Sequence, residues 1–146
     1  MSTALDANLL LYASDRASPF RDRANELLAE LAAGPAIVYL FWPTVMAYLR
    51  LSTHPSVFAR PLSPQEASTN IERLLRLPHV QSPGEQDGFW DVYRGAAGDV
   101  DARGNLVPDA HLAALMIQNG VRTIWTHDRD YRKFTGIEAR DPFAQG

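Results

Sequence analysis

Three of the 17 acidic side chains in this 146-residue sequence, Asp6, Asp109 and Asp128, stand at element ends, where solubility alone does not explain a carboxylate. Asp6 closes the short apolar run Thr3-Ala4-Leu5, Asp109 follows Pro108 in the opening turn of an apolar helical stretch, and Asp128 comes just after Thr123-Ile124-Trp125-Thr126. Carboxylates gathered at one place repel one another, so bringing them together needs a compensating charge. A hard cation supplies it: Mg²⁺ or Mn²⁺ takes oxygen ligands from one or two carboxylates and keeps several waters. Each residue also has a local explanation. Asp109 complements a helix dipole, and Asp128 with Asp130 reads as turn chemistry, one of them capping a short helix at Tyr131. Asp6, followed by Ala7-Asn8, is the hardest to place without a partner, because a carboxylate at the end of a buried strand is costly. Together the three favour a shared cation site over three separate local roles.

The other polar residues carry less. None of His54, His79, His111 and His127 lies four residues from another, so a helical zinc pair is absent. His111 reads as structural or surface, and His127, beside Asp128, is a candidate to approach a nucleic acid. The 14 basic residues are 13 Arg and one Lys, Lys133. Arg129, Arg132, Lys133 and Arg140 crowd the end of the chain near Asp128, where a basic patch would attract phosphates or simply face solvent. Trp42, Phe89, Trp90 and Trp125 lie in apolar periodic segments and read as core.

The elements that must position these groups alternate. Ser18-Pro19 supplies a helix start and Gly34-Pro35 a stop, with Phe20, Ala24, Leu27, Leu28 and Leu31 on one face between them. Ala36 to Phe41 reads as a buried strand, and Pro43 to about Leu51 as a helix broken by His54-Pro55. Ser63-Pro64-Gln65-Glu66 is a capping box opening a helix with Ala67, Ile71, Leu74 and Leu75 inward. Phe89, Trp90 and Tyr93 suggest a short helix before the turn-rich stretch 98–104. Pro108 starts a helix that ends at Gly120, Val121 to Thr126 is a strand, and Gly136 to Arg140 an edge strand. Strands alternating with helices predict a mainly parallel sheet covered on both faces, with sites beyond the carboxyl ends of its strands.

Three segments then carry a resemblance: Leu5-Asp6-Ala7-Asn8-Leu9-Leu10-Leu11-Tyr12, the stretch from Asn105 through Asp109 to Ala114, and Thr126-His127-Asp128-Arg129-Asp130-Tyr131. They resemble, in order and spacing, the three acidic motifs of PIN domains, most closely those of VapC-type toxin ribonucleases. The resemblance implies a three-layer α/β/α sandwich around a mainly parallel sheet, and a catalytic and metal-binding set of Asp6, Asp109 and Asp128 holding Mg²⁺ or Mn²⁺. It also implies that Thr126 orients the first carboxylate; beside these acids Asn8 and Asp130 are further supporting candidates, and Arg50, Arg129, Arg132 and Lys133 are candidates for RNA contact. The activity implied is endonucleolytic hydrolysis of RNA that leaves 5′-phosphate and 3′-hydroxyl ends. A VapB-type antitoxin, a homodimer and a cytoplasmic location follow from the same likeness.

One position departs from that pattern. The related sequences carry a glutamate three residues before Arg50, and here Ala47 stands there, with no other acid between Glu30 and Glu66; Asp130, or Asp99 and Asp101 ahead of Asp109, are the candidates to supply the missing charge. A catalytically weak PIN-like module that binds RNA or an antitoxin is therefore the alternative reading. A phosphoaspartate receiver is set aside, since no second acid adjoins Asp6. Composition narrows the rest. The length predicts one domain over residues 1–146. The absence of cysteine excludes disulfide frameworks, thiolate zinc sites and thiol nucleophiles. No apolar run reaches the roughly 18–20 residues of a membrane span. The start of the chain lacks a basic segment, so no signal peptide is expected. The net charge of −3 gives no global pull toward nucleic acid, so any such contact must be local.

Overall fold

In the computed structural model, which describes residues 2–144, a five-stranded sheet is built around β1 (Ser2–Leu5). Residues 1, 145 and 146 of the expected domain span lie outside the described residues. β1 pairs with β2 (Ile37–Tyr39) on one side and with β4 (Thr123–Trp125) on the other; β3 (Val80–Gln81) and β5 (Glu138–Arg140) form the edges. Every pairing is parallel, in the order β3-β2-β1-β4-β5, with Thr3 opposite both Val38 and Thr123. The helices are α1 (Ala7–Ser14), α2 (Arg21–Ala33), α3 (Trp42–Ser52), α4 (Pro64–Leu75), α5 (Phe89–Val100) and α6 (Leu106–Gln118). Among the described residues no helix is long and apolar enough to cross a membrane.

The chain builds outward from β1 in one direction, then returns to lay β4 and β5 on the other side. With right-handed crossovers this reversal puts successive helices on opposite faces. Alternation along the strands then fills two cores. Ala4, Phe41 and Ile124 join Ala110, Ala113, Leu115 and Met116 of α6 on one face. Leu5, Val38 and Leu40 join Leu9, Leu27, Val45, Tyr48 and Ile71 on the other. The expected layered α/β architecture is present. The order reverses between β1 and β4, so the crevice beyond their carboxyl ends is the place for a site.

Several local expectations are corrected. The helix expected from Ser18-Pro19 begins at Arg21, because Ser18 Oγ closes a turn by accepting the Phe20 N–H at 3.1 Å and caps nothing further on. Pro108 is the third residue of α6, where the first-turn N–H groups lack intrahelical partners and proline is harmless. Helix α5, which already runs through Gly95, continues into the first part of the stretch expected to be turn-rich, through Gly98 to Val100, with Ala96 buried against α6; residues 101–104 are irregular as expected. Trp90 (67% exposed) and Trp42 (41% exposed) are surface residues rather than core. The capping box is present in both directions, with Ser63 Oγ and Glu66 Oε1 accepting each other's backbone N–H.

Candidate active site

Asp6 leaves β1 and caps α1. Its Oδ1 accepts the Ala7 N–H at 2.8 Å, and its Oδ2 accepts the Thr126 hydroxyl at 2.7 Å. Thr126 follows β4 and is buried. Its oxygen also accepts the Asp128 N–H at 2.9 Å and a longer bond from Asn8 Nδ2 at 3.4 Å. One hydroxyl therefore ties the end of β1 to the loop after β4. Burial raises the Asp6 pKa above the ordinary range; the Thr126 and Ala7 bonds oppose this, and the Asp128 charge adds to it.

Asp128 caps a single 3-10 turn, residues Arg129–Lys133, by accepting the Asp130 N–H on Oδ1 at 2.9 Å. The turn-capping role expected of it is therefore real, and it leaves Oδ2 uncommitted among the bonds described. Asp109 lies in the first turn of α6, which starts at the same edge of the sheet. One carboxylate oxygen of each of Asp109, Asp128 and Asp130 lies within 4.8 Å of the other two. Burial, then the charge of Asp128, push the Asp109 carboxyl from 3.8 up to about 6; the Tyr131 hydroxyl opposes this, and Asp6 and Asp130 reinforce it. Tyr131 is itself buried, and desolvation with the charges of Asp6 and Asp109 raises its phenol well above the ordinary value. The fold thus brings residues 109, 128 and 130 within 4.8 Å of one another, with Asp6 outside that close set and linked to Asp128 through the Thr126 hydroxyl.

The basic residues separate. Arg129 and Arg132 line a small concavity with Thr126 and Asp128. Lys133 instead places its ammonium 3.1 Å from Asp130 Oδ1. Arg50 is exposed in the last turn of α3, about two turns past the helix start. Arg140 Cζ lies 5.8 Å from the centre of the Trp125 ring. His111 Nε2 meets Glu85 at 2.7 Å, consistent with a structural or surface role. His127 Nδ1 meets Asp141 Oδ2 at 2.8 Å, and its ring packs among Tyr12, Phe20 and Phe143. Ala47 is half-buried, three residues beyond Thr44, whose hydroxyl donates to the Leu5 carbonyl at 3.1 Å.

Tyr131 has no role in the sequence reading, although it directly faces Asp109. Its signal is present: it is the first large apolar-bodied residue after the two acids of the last motif, and a 3-10 turn carries it inward.

The donor set is all oxygen and all hard, which suits Mg²⁺ or Mn²⁺ and not a soft metal. Burial first, and the charge of neighbouring acids second, raise the pKa values of Asp6 and Asp109, and a cation beside them would relieve both costs.

Comparison with known proteins gives a consistent result. The PIN domain pattern matches residues 3–137. The chain is 54% identical to Ribonuclease VapC48 of Mycobacterium tuberculosis over 144 residues, covering 99% of each. It is 34% identical to Ribonuclease VapC43 of the same organism over 142 residues, covering 94% of this chain and 93% of that one. Among solved structures, VapBC2 from Rickettsia felis bound to a DNA fragment from its promoter superposes with a TM-score of 0.68 at 12% identity, over 96% of this chain and 98% of that one. Mycobacterium tuberculosis VapC20, described as a sarcin-ricin loop cleaving toxin, gives 0.63 at 16% identity, over 92% and 98%. At such identities the structural likeness speaks for the fold.

Proposed function

The chain belongs to the PIN domain family, and from that premise we propose that it is the endoribonuclease toxin of a toxin–antitoxin pair, acting as one domain. The observation that carries the reading is the approach of the Asp109, Asp128 and Asp130 carboxylates to within 4.8 Å, beside an Asp6 anchored at the end of the central strand. Similarity to a ribonuclease over nearly the whole chain supports it.

Asp6, Asp109 and Asp128, with Asp130 beside them, would hold Mg²⁺ or Mn²⁺. Such an ion supplies Lewis acidity at a scissile phosphate and a water of lowered pKa. The chain's own residues do the positioning. Ala7 N–H and the Thr126 hydroxyl hold Asp6 in one orientation. Thr126 and the Asp130 N–H fix the Asp128 backbone and side chain. Arg129 and Arg132 border the cluster and offer guanidinium forks to RNA phosphates on either side of the cut. Hydrolysis with this polarity leaves 5′-phosphate and 3′-hydroxyl ends.

The partner is a VapB-type antitoxin, a reading supported by relatives solved as VapBC complexes. An arginine from its tail would satisfy the clustered carboxylates as a cation does. A homodimer is supported by Trp42 and Met46, 41% and 55% exposed and one turn apart on α3.

Ala47 favours a second reading, a PIN-like module that binds RNA or antitoxin and cuts weakly. One experiment separates the two. Purified protein is incubated with total cellular RNA, with and without Mn²⁺, and new 5′ ends are sequenced. Discrete metal-dependent ends support the nuclease; RNA retention without new ends supports the binding module.

A further inference from the structure

The acidic cluster carries its own cation. Lys133 Nζ lies 3.1 Å from Asp130 Oδ1, and a carboxylate oxygen of Asp130 lies within 4.8 Å of those of Asp109 and Asp128. Resting on the metal-centre reading above, we infer that Lys133 is a tethered counter-cation that competes with the divalent ion for Asp130 and so sets the affinity of the site.

Three observations carry this. The first is register. Residues Arg129–Lys133 form a 3-10 turn, in which side chains three apart eclipse, so the backbone itself stacks Lys133 over Asp130. The second is residue type. Lys133 is the single lysine among 14 basic residues. An ammonium is a compact charge on a flexible stem, able to swing away, whereas a guanidinium fork would grip the carboxylate in two places. The third is exposure. The two side chains are 58% and 43% exposed. Water screens such a pair, which makes it weak enough to yield to a divalent ion.

With Ala47 offering no oxygen, Asp130 becomes the fourth acid of this site, and whatever holds Asp130 opposes metal binding. An exposed pair of this kind changes an equilibrium by about two- to fivefold.

The test is calorimetric titration of Mn²⁺ into the full chain and its variants, each checked for an unchanged far-ultraviolet spectrum. Lys133→Gln should bind Mn²⁺ about two- to fivefold more tightly than the parent. Asp130→Asn should bind more weakly, and adding Lys133→Gln to it should give no further gain. Arg132→Gln, which removes a neighbouring charge of the same sign, should change the affinity less than Lys133→Gln does. Unchanged or weaker binding by Lys133→Gln overturns the inference while leaving the metal centre standing. So does an equal gain in the Asp130→Asn background or from Arg132→Gln. Failure of the parent chain to bind Mn²⁺ at all removes the metal centre and this inference together.

Discussion

The Thr126 hydroxyl donates to Asp6 Oδ2 at 2.7 Å across a separation of 120 residues. The same oxygen receives the Asp128 N–H. Two acids from opposite ends of the chain are thus oriented by one neutral side chain lying between them.

Removing that oxygen should loosen both acids. Thr126→Val keeps the branched shape but leaves the Asp6 carboxylate and the Asp128 N–H each short of a partner. The expected loss in cleavage is about 10- to 100-fold, the range seen when groups that orient ligands are removed. Thermal stability should fall by about 1–3 kcal/mol. Initial rates on a defined RNA, with melting curves on the same samples, check both. A fully active variant would contradict the orienting role.

Asp6→Asn and Asp109→Asn should each reduce cleavage at least about 100-fold and weaken Mn²⁺ binding. The folded state should hold or gain stability, since each change relieves like-charge repulsion. Asparagine also remains a good helix cap, so α1 keeps its first turn in the Asp6 variant. Undiminished cutting by both variants would exclude these acids from the site.

Without metal, stability should fall as pH rises from about 4.5 to 7. The sign follows from proton binding. The Asp109 carboxyl moves from 3.8 to about 6 on folding, so in this window the folded chain holds a proton that the unfolded chain has lost. Asp6, raised chiefly by burial, acts in the same direction. Glu66 and Glu85 are lowered, so their contribution is lost only as pH falls below the ordinary glutamate value, beneath this window. Melting temperatures in EDTA should therefore decline across the range, and the decline should be shallower in Asp109→Asn. A flat profile for the parent chain would argue against an acid pressed among other acids.

Ala47→Glu should tighten Mn²⁺ binding and raise the cleavage rate. Position 47 is three residues past Thr44, which touches the end of β1, and long helical side chains lean toward the helix N-terminus. Here that end of α3 adjoins the acidic edge. Calorimetry on both proteins decides; unchanged affinity with a lower melting temperature would mean that the added carboxylate is stranded at a half-buried position.

The sequence is most informative where burial is one-sided or capping chemistry is explicit. The strand around β4, the apolar face of α6 and the reciprocal bonds of Ser63 and Glu66 all follow from local pattern. The places of Asp6, Asp109 and Asp128 at element ends are legible for the same reason. What local pattern does not contain is distance. β3 has two residues, too few to show a period, and is held as an edge by β2. α5 runs through two glycines because packing on α6 outweighs their low propensity. Trp90 lies in an apolar segment yet faces solvent, stacked on Tyr93, because helix direction and not composition selects the face. The pairing of Lys133 with Asp130 depends on a 3-10 turn that composition does not distinguish from an α-helical one.

The pairing of β1 with β4 has a consequence for synthesis. Thr3 pairs with Thr123, and Leu5 with Trp125, so β1 leaves the ribosome 120 residues ahead of its second neighbour. Contacts so distant along the chain form late. A nascent chain that ends between residues 110 and 122 contains Asp6 and Asp109 but lacks Thr126, Asp128 and Asp130, and cannot close the crevice. Toxicity is thereby deferred to the completed polypeptide: translation products truncated before β4 should be inert toward the RNA of the ribosomes that make them.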